Sequence, residues 1–145
     1  MIEVPKKSSF STDWISKGIE SEMVDYAKWF GYYLCDVQAN DRAGWDALTT
    51  SQIRNFFGEV KRIQAKGFKE EKTAFLLIRP KLAYAEARVK ANSKGKPRII
   101  DFREIVEKAH GAVETKTDKA EQQFQNFVDF LEAVLAYHKF YGGKD

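Results

Sequence analysis

The chain has 145 residues, 43% hydrophobic and 31% charged, with 24 lysines and arginines against 21 aspartates and glutamates, a formal net charge of +3. A chain of this length buries roughly two-thirds of its unfolded surface around one core, so a single domain over 1–145 is expected, and so small a net charge cannot by itself argue for a polyanionic partner. The lone cysteine, Cys35, excludes an intrachain disulfide, and no run approaches the ~18 apolar residues that span a bilayer, which together predict a cytoplasmic protein without a membrane partner.

After a polar N-terminal tail over about 1–12, the first helix is expected over 19–38. Ile19, Met23, Tyr26, Ala27, Phe30, Tyr33, Leu34 and Val37 recur there at three- and four-residue spacing, the pattern of a core-facing stripe. The next start is marked by Thr49 and Gln52, a T-x-x-Q capping box, with Leu48 and Ile53 placed as the hydrophobic staple. Ile53, Phe56, Phe57, Val60 and Ile63 form its apolar stripe, and Gly67 stops it.

A third helix is predicted over 71–92. Pro80 removes a backbone donor within it, which predicts a kink or a division just upstream. A loop over about 92–100 follows, around Pro97, and then a short helix with Asp101 as its N-cap and Gly111 as its stop. The last helix is expected from Thr117 or Asp118 to Gly142 and Gly143, with Phe124, Phe127, Val128, Leu131, Val134, Leu135 and His138 on one face. The sum is an all-α, single-domain bundle of about five helices.

Catalytic signatures are weak. His110 and His138 lie on separate elements, no H-x-x-x-H or cysteine pair offers a metal site, and no glycine-rich phosphate loop precedes a helix, so no cofactor and no metal are predicted. His138 continues an apolar stripe and reads as a core or interface residue. The cations are more suggestive. Arg54 and Lys61 stand two helical turns apart on the second helix, about 10 Å, with Lys61 and Arg62 on the side away from the stripe. Lys81 and Arg88 repeat that spacing around Tyr84 on the third, with Arg79 a turn away. Such spacing can address separate backbone phosphates, but on charge pattern alone a solvated face carrying pairs such as Glu86 with Lys90 is the favoured reading.

Three stretches together carry more. "LTTSQIRNFFGEVKRI" at 48–63, "FLLIRPKLAYAEAR" at 75–88 and "FVDFLEAVLAYHKFYGGKD" at 127–145 resemble, in order and spacing, the small subunit of type III-A CRISPR effector complexes. The resemblance covers about the C-terminal two-thirds of the chain. It implies a helical subunit without its own catalytic site, several copies of which stack along the complex with its other subunits and help hold crRNA and target RNA. Matched to the motifs, it points to Arg54, Arg79, Arg88, Lys139 and Lys144 as RNA contacts, while helical geometry adds Lys61 and Lys81. The alternative is a helical structural adaptor that touches no RNA.

Overall fold

The computed structural model describes residues 4–35, 48–91 and 97–143. Among these the chain is all-α and contains no strand. The elements are α1 (Asp13–Ser16), α2 (Ser21–Cys35), α3 (Thr50–Lys66), α4 (Lys72–Leu76), α5 (Ile78–Ala91), α6 (Ile99–Gly111) and α7 (Ala120–Phe140). The five expected helices are α2, α3, the broken pair α4 and α5, α6 and α7. The single turn α1 is added between the expected tail and the first expected helix, in a stretch to which the sequence assigned no element.

α7 is the organising element. One flank buries Gln123, Asn126 and Phe130 against α1 and α2: the Gln123 and Asn126 amides donate to the carbonyls of Ser16 and Ile15, and Phe130 packs on Tyr26 and Phe10. The other flank sets Phe124 and Phe127 against Phe75, with Phe68 and His110 closing the cluster. Both layers share one continuous apolar core. α2 runs parallel to α7, since Tyr26 meets Phe130 and Gly31 meets Tyr137.

The local signals read from sequence hold where the backbone alone decides. The Thr49 side chain accepts from the Gln52 amide at 3.1 Å while the Gln52 side chain accepts from the Thr49 amide at 2.8 Å, so both halves of the capping box form. Leu48 and Ile53 are buried, and Gly67 ends α3 at φ +105°. The helix containing Pro80 divides at Leu77, upstream of the proline, as the missing donor predicts.

Several boundaries differ, each for a tertiary reason. α2 starts at Ser21, leaving Ile19 outside the helix and 37% exposed rather than in the core. Val37 lies outside the described residues. Asp101 is not the N-cap of α6: the helix begins at Ile99 behind Arg98, which shortens the expected loop, and the Asp101 carboxylate instead accepts the Tyr33 hydroxyl from α2. Gly111 is the last residue of α6, with Ala112 capping it. α7 starts at Ala120, because Thr117 is spent in a turn whose hydroxyl donates to Glu114 and accepts from the Lys119 amide. Glu86 pairs with Arg103 of α6 at 2.6 Å rather than with Lys90, tying α5 to α6.

Candidate nucleic-acid interface

α3 presents the clearest cationic surface. Its buried residues Ile53, Val60 and Ile63 fall on one side, so the helical period turns Ser51, Arg54, Asn55, Gly58, Lys61, Ala65 and Lys66 outward. No carboxylate stands among the exposed residues of this helix. Its single acid, Glu59, sits at the edge and is drawn sideways, accepting Arg62 at 2.6 Å and Lys81 at 2.7 Å. Hydrogen bonds from Arg62 and then Lys81 hold its pKa below the usual carboxylate range. Arg62 reaches on to Glu71 at 3.2 Å, which leaves Arg54, Lys61 and, in the last turn, Lys66 as outward cations, Lys61 with its ammonium 5.8 Å from the Phe57 ring centre. Gly58 lies between Arg54 and Lys61 with no atom near its missing Cβ, so another chain can approach the backbone there.

The other expected RNA contacts are not gathered on this face. Lys81 is exposed but committed to Glu59. Arg79 donates through Nε to Nδ1 of His110 at 3.2 Å and through Nη2 to the Glu107 carbonyl at 3.4 Å, so part of its guanidinium serves the fold. Gly111 makes room for it, since a Cβ there would lie 2.8 Å from Nη2. Arg88 is exposed and lies 5.8 Å from the Tyr84 ring centre. Lys139 is exposed near the end of α7, on a helix whose outward residues include Asp129 and Glu132. Lys144 lies outside the described residues.

A cleft beside Arg79 adds Lys17, Arg103, Lys108 and Lys119, cations that sequence reasoning did not single out. It also holds Glu104, Glu107 and Glu114, and Arg103 is neutralised by Glu86 and Glu107. Its mixed charge makes it a poorer phosphate surface than α3. Nothing in the sequence signals this cleft, because its residues come from four separate stretches.

Both histidines are built into the core. His110 stacks on Phe75 with ring centres 4.0 Å apart, donates from Nε2 to the Phe75 carbonyl at 2.7 Å, and accepts Arg79 at Nδ1. His138 is fully buried: Nε2 donates to the Leu48 carbonyl at 2.6 Å, and the Cys35 thiol donates to its backbone carbonyl at 3.0 Å. Burial pushes both imidazole pKa values down, and the cations Arg79 and Lys139 push each a little further. Thr50 lies 3.5 Å from His138 Nδ1, which has the look of a nucleophile beside a base. Both side chains are wholly out of solvent, however, and the Thr50 hydroxyl donates to the Gly143 carbonyl at 3.1 Å. The pair closes the end of the bundle. Burial likewise pushes the Cys35 thiol up to about 12, far from a reactive thiolate. Among the described residues no three His, Cys, Asp or Glu converge as metal ligands, and no helix is long and apolar enough to cross a membrane.

The model of the family "Csm2 Type III-A" matches residues 21–144. It begins at the first residue of α2, so the family likeness reaches further towards the N-terminus than the three motifs do. A curated protein of Streptococcus thermophilus, described as "CRISPR system Cms protein Csm2", is 32% identical over 110 residues, covering 72% of this chain and 82% of that protein. No solved structure matches. With the family model spanning every helix from α2 to α7, the chain belongs to the Csm2 family, the small subunits of type III-A CRISPR systems.

Proposed function

We propose that the chain is a non-catalytic RNA-binding subunit of the type III-A complex, stacking in several copies and holding crRNA and target RNA by sequence-independent contacts to their backbones. The observation that carries this reading is the outward face of α3, where Arg54 and Lys61 flank Gly58 with no carboxylate exposed on the helix. Cations on a helix supply charge and phosphate hydrogen bonds but no base readout, so binding is indifferent to sequence and steeply salt-dependent. Arg88 and Lys139 extend the set as weaker contributors. Arg79 and Lys81 belong to it only if RNA competes with His110 and Glu59 for them, and Lys144 is retained on the motif alone. Catalysis is assigned to other subunits, since both histidines are spent on the fold.

The test is a titration of labelled RNA duplexes of unrelated sequence against the assembled complex at several salt concentrations. Equal affinities that fall with salt, and fall less steeply in Arg54→Ala and Lys61→Ala, support the reading. Affinities unchanged in both variants would make the chain the helical adaptor instead.

A further inference from the structure

The cleft beside Arg79 encloses about 880 Å³ where α1, the start of α5, α6 and the approach to α7 meet, a size ordinary for small-molecule sites. It opens on the side of α5 away from α3. Residues two apart on a helix point about 200° from each other, and while Lys81 reaches Glu59 of α3, Arg79 reaches His110 of α6.

Five cations and three carboxylates line the cleft, which makes it a poor track for a long phosphate backbone. The balance changes once partners are counted. Glu107 accepts Arg103 at 2.9 Å and Glu104 stands 4.0 Å from the same guanidinium, which Glu86 also takes at 2.6 Å. Glu114 accepts the Gln123 amide at 2.6 Å. These acids are spent on Arg103 and Gln123, whereas the exposed ammonium groups of Lys108 and Lys119 meet no carboxylate among the described residues. Lys17 meets Asp13 only at 3.7 Å, with both side chains more than half exposed, a pairing that holds it weakly.

Arg79 is set among these lysines from behind. The His110 ring donates from Nε2 to the Phe75 carbonyl at 2.7 Å, which leaves Nδ1 as the lone-pair nitrogen that accepts Arg79 Nε at 3.2 Å. Nη2 makes only a long contact of 3.4 Å with the Glu107 carbonyl, and Nη1 has no partner among the described residues. Gly111 leaves the space for this, because a Cβ there would lie 2.8 Å from Nη2. Anchored at Nε, the guanidinium keeps its terminal nitrogens for two parallel hydrogen bonds to a phosphate.

The geometry points to a second anion site, separate from α3: the cleft takes one compact polyvalent phosphate, of the pyrophosphate class, on the Arg79 fork, with Lys108 and Lys119 neutralising its remaining charge. A phosphate group carries about −1.5 to −2 near pH 7, so three uncommitted cations suit two linked phosphates better than one. His110 is a positioning residue, since it touches the guanidinium and not the anion. The site stands whether or not α3 holds RNA.

Calorimetric titration of the full chain with sodium pyrophosphate at fixed ionic strength is the test. Wild type should bind one equivalent with a Kd below about 1 mM. Lys108→Ala and Lys119→Ala should each weaken binding about three- to fivefold with unchanged melting, as exposed cations do. Gly111→Ala is the sharper probe. It removes no charge and places a better helix former, so melting should hold or rise, yet its methyl displaces Nη2 and binding should fall at least about fivefold. Arg54→Ala should bind pyrophosphate as wild type does. Binding that is absent below about 1 mM, or indifferent to all three cleft variants, means an adventitious ion only and overturns the proposal. Loss in Arg54→Ala alone would place the anion on α3 and overturn it too. RNA is the other source of phosphate: if an RNA duplex on the assembled complex displaces pyrophosphate, and Lys108→Ala and Gly111→Ala lower the affinity for that duplex, the cleft belongs to the RNA path and the proposal falls.

Discussion

A Cβ at Gly31 would stand 2.7 Å from the backbone nitrogen of His138 and 2.8 Å from the Tyr137 Cβ, so α2 and α7 touch backbone to backbone at this point. Gly31→Ala should therefore destabilise by about 1–3 kcal/mol, the range for overpacking a tight interior, because rigid main chain has to give way. Gly58→Ala, on an exposed helical site with nothing near its Cβ, should instead stabilise by up to about 1 kcal/mol. Urea unfolding of the two variants beside wild type reads both signs in one experiment.

Acid should unfold the protein through its histidines first. Both folded-state pKa values are depressed, so below about 6.5 the unfolded chain takes up two protons that the folded chain refuses. Stability is then full above that pH and falls as pH drops, by about 1.4 kcal/mol per unit for each histidine until its folded pKa is reached. His110→Gln and His138→Gln should each flatten the slope just below about pH 6.5, by up to one proton, whatever they do to the absolute value. Glu59, depressed by Arg62 and Lys81, adds a separate loss only as pH falls below its ordinary carboxylate range.

Glu59 restrains two cations at the edge of α3, and releasing them should strengthen RNA binding. Glu59→Gln removes the acid that holds Arg62 and Lys81, and under the proposed function this raises affinity and steepens the salt dependence. The stability cost should stay below about 1 kcal/mol, since exposed ion pairs contribute little. A filter-binding series in salt with Glu59→Gln and wild type checks the direction.

On the outward face of α3, Arg54→Ala and Lys61→Ala should each lower the slope of log affinity against log salt by somewhat under about one unit. Neither should change the melting temperature by more than a surface substitution does. Phe127→Ala, emptying a fully buried site between Phe75, His110 and Phe124, should cost about 3–5 kcal/mol. If the two charge variants melt early and bind RNA normally, the wet and dry sides of α3 have been exchanged.

What could be read from sequence was whatever neighbouring residues decide among themselves. The capping box at Thr49 and Gln52, the stop at Gly67, the break before Pro80 and the buried stripe of α7 are all set within a few residues, and all are found. Asp101 was misread as a cap because its true partner, Tyr33, lies 68 positions away. The pairing of Lys81 with Glu59 and of Arg79 with His110 was invisible for the same reason. Helical spacing says which cations share a side of one helix. It does not say which acid on another helix has already claimed them. Thr50 carried no signal at all, since a second threonine after a cap has no local reason to be buried against Gly143.

The position of α7 between the two layers also sets the order in which the molecule can be made. Its partners on one flank lie more than a hundred residues earlier: Ile15 and Ser16 wait for Asn126 and Gln123, and Cys35 waits for His138. While a ribosome is still adding α3 to α6, the aromatic side of α2 with Tyr26 and Phe30 has nothing to close on, and Phe75 has no Phe127. Contacts so distant along the chain are slow to form and leave apolar surface open meanwhile. Because both layers close on α7, a truncation within it should loosen both together instead of trimming one end.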